Sequence, residues 1–247
     1  MTISERFGRA LLHNHTIYSD GVMTPVELLV SCQQYPEKVD IFAITDHNSI
    51  RGYDFLINYM LQNNISAPKL IPGVEVTSPL HLLVYPKKNP FEIPQLLGFE
   101  RTVDFIFNKD EEAVILVAHP GKNHRFLLDP QAYVRKGING AETRSPYNWP
   151  LEWLVSARYE QIRREGNKKF SAVAGGDNHF PYPYGTGWQY HTLFPGFTTE
   201  DLFNALLEGT IIAVVDKSIK VRLPSLEMTA ERHRKALLDP LLPPSRR

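Results

Sequence analysis

The stretch Leu11-Leu12-His13-Asn14-His15-Thr16-Ile17-Tyr18-Ser19-Asp20-Gly21 decides how the whole chain is read: a short apolar run ends in two histidines, then an aspartate, then a turn glycine. Alternate side chains of a β-strand share a face at a spacing of about 6.6 Å, so His13 and His15 at a strand end can converge on one ion while Asn14 points elsewhere. Asp20, in the following loop, adds a hard carboxylate that imidazoles cannot supply. An HxH pair by itself is weak, since paired histidines also occur in cores and on surfaces. Its weight comes from the rest of the chain, where other strand-like runs stop at the same few residue types.

Residues 39–45 form a β-rich buried run that stops at Asp46-His47-Asn48. Residues 69–74 lead to Glu75, and 81–85 read as another short strand after a turn at Ser78-Pro79, so that Glu75 and His81 flank one bend. The run 113–118 ends at His119-Pro120-Gly121, 137–141 leads to Glu142, and 170–176 ends in Asp177-Asn178-His179. Between these runs lie helical stretches. One opens with Thr24 as cap and Pro25 at its first position and runs to about Tyr35. Others cover 53–63, 93–108 and 151–165, and a last one has Thr199 as cap and 201–208 as body, before a strand at 210–215. Strands alternating with helices at this spacing predict a parallel, barrel-like α/β fold, in which function collects at the carboxyl ends of the strands. His13, His15, His47, Glu75, His119, Glu142, Asp177 and His179 all fall at such ends.

With 247 residues, 43% of them hydrophobic, the chain can bury a large core, and its length is that of single-domain α/β barrels. We expect a catalytic domain over 1–215 and a tail over 216–247 that carries a short helix near 227–238 and a Pro-rich basic end, peripheral to the fold. The formal charge is zero, which supplies no global field for long nucleic acid or an anionic membrane, so any anion affinity must be local. A single cysteine, Cys32, excludes an intrachain disulfide framework. The start lacks an apolar run of signal-peptide length and no later segment approaches 18 apolar residues, so a cytoplasmic protein is expected.

The ordered motifs HNHTIYSDG, ITDHN, PGVEVT with a histidine six residues after its glutamate, VAHPG and GGDNH resemble those of the PHP (polymerase and histidinol phosphatase) superfamily over residues 10 to 215. The resemblance implies a distorted (β/α)7 barrel with two or three divalent metal ions at its carboxyl face, zinc, manganese or iron being suited to the ligand set. It implies that His13, His15, Glu75 and Asp177 hold a first metal, that Glu75 bridges to a second bound also by His81 and His119, and that Asp20, His47 and His179 hold a third. The family's usual aspartate two residues before the first histidine is replaced by Leu11. The implied activity is that of a phosphoesterase in which a metal-bridging hydroxide attacks a small phosphomonoester such as a nucleotide or sugar phosphate. GTGWQYHT, followed by a helix and LLEGTIIAVV, looks like a branch that hydrolyses carbamate esters instead. Hydrolysis of carboxylic or carbamate esters on the same metals, nuclease action and a non-catalytic scaffold are the alternatives.

Around that core, Asp46 and Asn48 are expected to orient neighbours, and Glu142 either touches the site or faces it. Asp177 and His179, with His191 as a further option, are candidates to protonate the leaving oxygen. Lys122, Arg125 and Arg144 follow strand-end residues closely and are candidate anion binders, the arginines especially because a guanidinium forks onto two phosphate oxygens. Three ions would leave the site more positive than two and so favour a phosphomonoester dianion over a neutral ester.

Overall fold

The protein is described here by a computed structural model covering residues 6–77, 81–94 and 98–238. The expected turn at Ser78-Pro79 and the Pro-rich basic end lie outside these residues. The described chain contains ten strands: β1 (Phe7–Leu11), β2 (Ile41–Ile44), β3 (Lys69–Pro72), β4 (Val74–Val76), β5 (Leu82–Tyr85), β6 (Val114–Val117), β7 (Gly140–Arg144), β8 (Ser171–Ala174), β9 (Tyr190–Pro195) and β10 (Ile212–Val215). The helices are α1 (Pro25–Gln34), α2 (Arg51–Gln62), α3 (Phe99–Lys109), α4 (His124–Leu128), α5 (Gln131–Arg135), α6 (Glu152–Arg164), α7 (Thr199–Glu208) and α8 (Leu226–Leu238).

β2, β5 and β6 are apolar without alternation and buried at every position, as strands covered on both faces must be. The closed barrel expected from the sequence is not formed. The strands make two five-stranded sheets, in the orders β10-β9-β1-β2-β3 and β4-β5-β6-β7-β8. The change of sheet falls at Gly73, where a Cβ would lie 2.8 Å from Thr45 Cγ2 and 2.9 Å from the Ile44 carbonyl, so only glycine lets the backbone cross this closely. Isolated bridges at His47–Glu75 and Asn14–Asn178 stitch residues of the two sheets together, both within the metal-type motifs. The sheets are also mixed rather than parallel. β5 runs antiparallel to β4 and β6, and β9 antiparallel to β1 and β10. Reversal of β5 matters for function: His81 reaches the carboxyl face of the fold by preceding a strand, not by ending one.

Local chemistry accounts for most helix starts. Thr24 accepts from the Glu27 amide and Glu27 reaches back to Thr24, a complete capping box behind Pro25. α7 has the same device one residue earlier than expected: Thr198, not Thr199, is the cap, with Asp201 as its reciprocal partner. α3 starts at Phe99, after the Pro94 region, rather than at Ile93. Three hydrophobic clusters form the core, one of them around β1, β2, β6 and α7 and reaching the cavity at Ala118.

Candidate metal centre

The loop after β1 is pinned before any ion is considered. Asn14 turns inward and its amide donates to the carbonyls of Leu11 (3.0 Å) and Ala43 (2.8 Å), while its oxygen accepts from Asn178 Nδ2 (2.9 Å). This ties the two histidine-bearing loops together and sends His13 and His15 the other way. His81 (φ 33°), His119 (φ 25°) and Asp177 (φ 48°) hold left-handed backbone without being glycine. Such residues cost on the order of 1–3 kcal/mol each and collect where side-chain direction is functional.

His13 and His15 meet through their Nε2 atoms, 3.0 Å apart. Glu75 Oε2 lies 3.1 Å and 3.0 Å from these two nitrogens, and Asp177 Oδ1 lies 3.3 Å and 3.0 Å from them. The other ring nitrogens fix the tautomers. His13 Nδ1 is 2.7 Å from Glu142 Oε1 and so carries the proton. Ser19 donates its hydroxyl to Asp46 Oδ1 (2.7 Å), which leaves Ser19 Oγ to accept from His15 Nδ1 at 3.2 Å. With Nδ1 of each ring already holding a proton, both Nε2 atoms and two carboxylate oxygens face one point, where only a proton or a metal ion can join them. Four acceptors this close repel unless a cation joins them, and the nitrogen and oxygen donor set suits a borderline divalent ion. Asp20 Oδ1, Asp177 Oδ1 and His47 Nδ1 are buried without a hydrogen-bond partner, which is the same observation made atom by atom. The residues present fit the metals that the sequence implies.

Glu75 continues the constellation on its other oxygen, Oε1, which lies 2.8 Å from His81 Nδ1 and 3.1 Å from His119 Nε2. His47 Nδ1 is 3.5 Å from Glu75 Oε2 and groups with Glu75 and His81. A third group holds His15, Asp20 and His179, with His179 Nε2 2.9 Å from Asp20 Oδ2. The expected third set of Asp20, His47 and His179 is thus rearranged: His47 Nε2 is 3.7 Å from Asp20 Oδ1 and leans toward Glu75 as well, while His15 takes its place in the group.

Around these groups runs a ring of orienting contacts. Glu142 is fully buried and accepts from His13 Nδ1 and from the His119 amide (2.6 Å), so one carboxylate positions two histidines. It supplies the histidine contact for which Leu11, buried in the core, is unsuited. Gly175 makes room for it, because a Cβ there would land on the Glu142 carboxylate. Asp46 does not reach the cluster; it accepts from the Thr16 amide and hydroxyl (both 2.6 Å) and from Ser19, and so holds the loop that carries His15 and Asp20. Asn48 accepts from the Thr77 amide (3.0 Å) and donates its own amide to the Glu75 carbonyl (2.9 Å), keeping β4 in line.

Charge follows from this crowding. Burial disfavours the protonated imidazole of His15, but Asp177, Glu75 and Asp20 outweigh it and raise its pKa to about 10. His13 is raised in the same way, against its burial, by Glu142, Glu75 and Asp177. Burial drives His47 down to about 4, so that ring is neutral. Burial opposes ionisation of Asp20, Glu75 and Asp177, yet the surrounding histidines hold all three well below the ordinary carboxylate range. A proton occupies the attractive point when nothing larger does.

The cluster lines a cavity of about 330 Å³ whose wall includes Lys122, Asn123 and Arg232. Lys122 is where the sequence places it, with Nζ 3.8 Å from the centroid of the Tyr147 ring. Arg125 and Arg144 are not. Arg125 sits on α4, points outward to Glu100 Oε1 (2.7 Å) and stacks on Phe99. Arg144 follows a register irregularity in β7 that turns it away from the face carrying Glu142, and it pairs with Glu152 at the surface. His191 is also excluded from the chemistry: it is buried beside Tyr35, 3.3 Å from its hydroxyl, and burial lowers its pKa to about 4. Arg232, on α8, is the residue that sequence reasoning missed. Its Nη2 lies 3.2 Å from His179 Nε2, and its guanidinium stands 5.9 Å from the centroid of the Tyr147 ring, so the tail helix reaches the site instead of lying apart from it.

No protein-family model matches the sequence, and no curated protein is detectably similar to it. Solved structures are similar in fold. A two-domain protein from Bacteroides vulgatus containing a predicted PHP-like metal-dependent phosphoesterase aligns with TM-score 0.64 at 14% identity, over 93% of this chain and 70% of that one. A protein from Bifidobacterium adolescentis assigned as a metal-dependent phosphoesterase aligns with TM-score 0.54 at 14% identity, over 96% and 98% of the two chains. An amidohydrolase from Chromobacterium violaceum, solved with sulfate and without metal, aligns with TM-score 0.53 at 15% identity, over 90% and 96%. At 14–15% identity this likeness is one of fold.

Proposed function

We propose that the chain is a metal-dependent hydrolase whose substrates are small phosphomonoesters. The observation that carries the reading is the pairing, in one cavity, of an acceptor-only cluster with the cations Lys122 and Arg232. In this reading His13, His15, Glu75 and Asp177 hold one ion, and Glu75, His81 and His119, with His47 beside them, hold a second; zinc, manganese and iron all suit such ligands. Divalent ions bound there lower the pKa of water toward 7 and offset the charge of a phosphoryl group.

The remaining work falls to side chains. Glu142 keeps the proton of His13 on Nδ1 and so presents Nε2 to the cluster. Asp177 is held ionised, which suits ligation rather than donation of a proton to the leaving oxygen. Lys122 and Arg232 stand over the cluster and replace Arg125 and Arg144 as the grip on the substrate's outer oxygens. Two divalent ions balance Asp20, Glu75, Asp177 and a bridging hydroxide, so the positive excess that a dianion neutralises and a neutral ester does not comes from Lys122 and Arg232. The cavity of about 330 Å³ suits a small molecule. A panel of phosphomonoesters, phosphodiesters, carbamates and carboxylic esters, assayed with manganese and with zinc, tests the proposal. Chelator-sensitive turnover of phosphomonoesters is the expected result; efficient turnover of carbamates or carboxylic esters with none of phosphomonoesters would overturn it.

A further inference from the structure

The group His15, Asp20 and His179 carries a second observation, and it concerns α8. His179 Nδ1 lies 2.8 Å from the backbone carbonyl of Asp177, so Nδ1 carries a proton, and in the neutral ring, the form that can bind a metal, Nε2 presents a lone pair. That lone pair has two neighbours. Asp20 Oδ2, 2.9 Å away, is itself an acceptor, and Arg232 Nη2, 3.2 Å away, can only donate. Arg232 Nε lies 3.8 Å from the same Asp20 oxygen. The guanidinium thus stands beside an imidazole and a carboxylate that would otherwise repel each other, the place a cation takes in a metal group.

An imidazole nitrogen has one in-plane lone pair. Accepting from a guanidinium and binding a metal use the same orbital along the same direction, so His179 Nε2 does one or the other. A metal ligated by both His179 and Asp20 at the usual 2.0–2.2 Å would also stand against a fixed positive charge that cannot be shed, since arginine does not deprotonate. The converging atoms of the other two groups are histidine nitrogens and carboxylate oxygens, and the nearby cation Lys122 has its Nζ 3.8 Å from the centroid of the Tyr147 ring.

We propose that Arg232 occupies the third cation position, so that the tail helix makes the centre a two-ion site with a guanidinium as its third positive charge. The inference rests on the metal-dependent reading above, and it assigns α8 to the active centre. It reverses the expectation of a third ion drawn from the presence of Asp20, His47 and His179. It also gives the phosphomonoester preference a different source, because the charge a third ion would have brought comes from a side chain that can also donate to substrate oxygens.

The test counts ions in the full chain. Wild type, R232A and R232M are stripped with chelator, dialysed against zinc or manganese alone, and analysed for bound metal, with circular dichroism melts to confirm folding; R232M keeps the apolar stem should R232A fold poorly. The expected result is two ions in wild type and three in R232A or R232M, the third bound at least tenfold more tightly than any third ion in wild type. R232K, which keeps a donor and a charge, is expected to stay at two. Three equally tight ions in wild type, or two in folded R232A and R232M, would overturn the inference and leave the hydrolase reading standing. A wild type that takes up none overturns both.

Discussion

Replacing Glu142 with glutamine separates positioning from ligation, because the side chain keeps its shape and touches no point where an ion would sit. The carboxylate accepts on both oxygens, from His13 Nδ1 at 2.7 Å and from the His119 amide at 2.6 Å, and it is fully buried. Glutamine has one acceptor oxygen, so its NH2 must face one of the two donors. Leaving a buried donor unmatched costs about 1–3 kcal/mol. His13 can relieve the conflict only by moving its proton to Nε2, which removes a lone pair from the cluster. At about 1.4 kcal/mol per factor of ten, divalent-ion affinity should fall roughly ten- to a hundredfold, as substitutions in a supporting shell do. Competition with a chromophoric chelator at neutral pH measures it. An E142Q protein that folds normally and binds zinc within twofold of wild type would refute the role assigned to Glu142.

Other outcomes follow from the same geometry. Gly175→Ala should act like E142Q, weakening metal binding about tenfold, because the new methyl displaces the Glu142 carboxylate; unchanged affinity by the same competition assay would contradict it. In the metal-free protein the folded pKa of His15, about 10, lies above its ordinary 6.5, so its contribution to stability is complete below pH 6.5 and is lost as pH rises toward 10. The Tm of chelated protein should therefore fall across that window, while metal affinity rises with pH because the imidazoles must lose their protons; melts and binding titrations read the two opposite slopes. Lys122→Ala should lower kcat/KM for a phosphomonoester by roughly ten- to a hundredfold, whereas Arg125→Ala and Arg144→Ala, which lose only surface pairs with Glu100 and Glu152, should change it by no more than a few-fold.

Most of the metal-type residues were legible because strand ends are legible: an apolar run that stops at His, Asp or Glu marks both an element boundary and a face, and the structure gathers the nine proposed ligands together, seven of them lining one cavity and His13 and His15 buried behind it. Several features were not readable, each for a local reason. Arg125 and Arg144 are close in sequence to site residues, but a turn of α4 and an irregularity in β7 aim them outward. β9, interrupted in character by His191 and Thr192, reads neither as an apolar run nor as a strict alternation, and without it the antiparallel edge against β1 is invisible. Sheet separation hangs on one crossing at Gly73 within a run that reads as a single strand. Arg232 carries no signal at all: it is one of several charges on α8, and only the path from β10 brings that helix over the cavity.

The most direct test is the metal content of the protein purified without chelator, measured by elemental analysis beside phosphomonoester hydrolysis on the same sample. Two divalent transition-metal ions per chain are predicted, with activity lost on chelation and restored by zinc or manganese. Less than one ion per chain, with none taken up when zinc or manganese is added, would contradict the account.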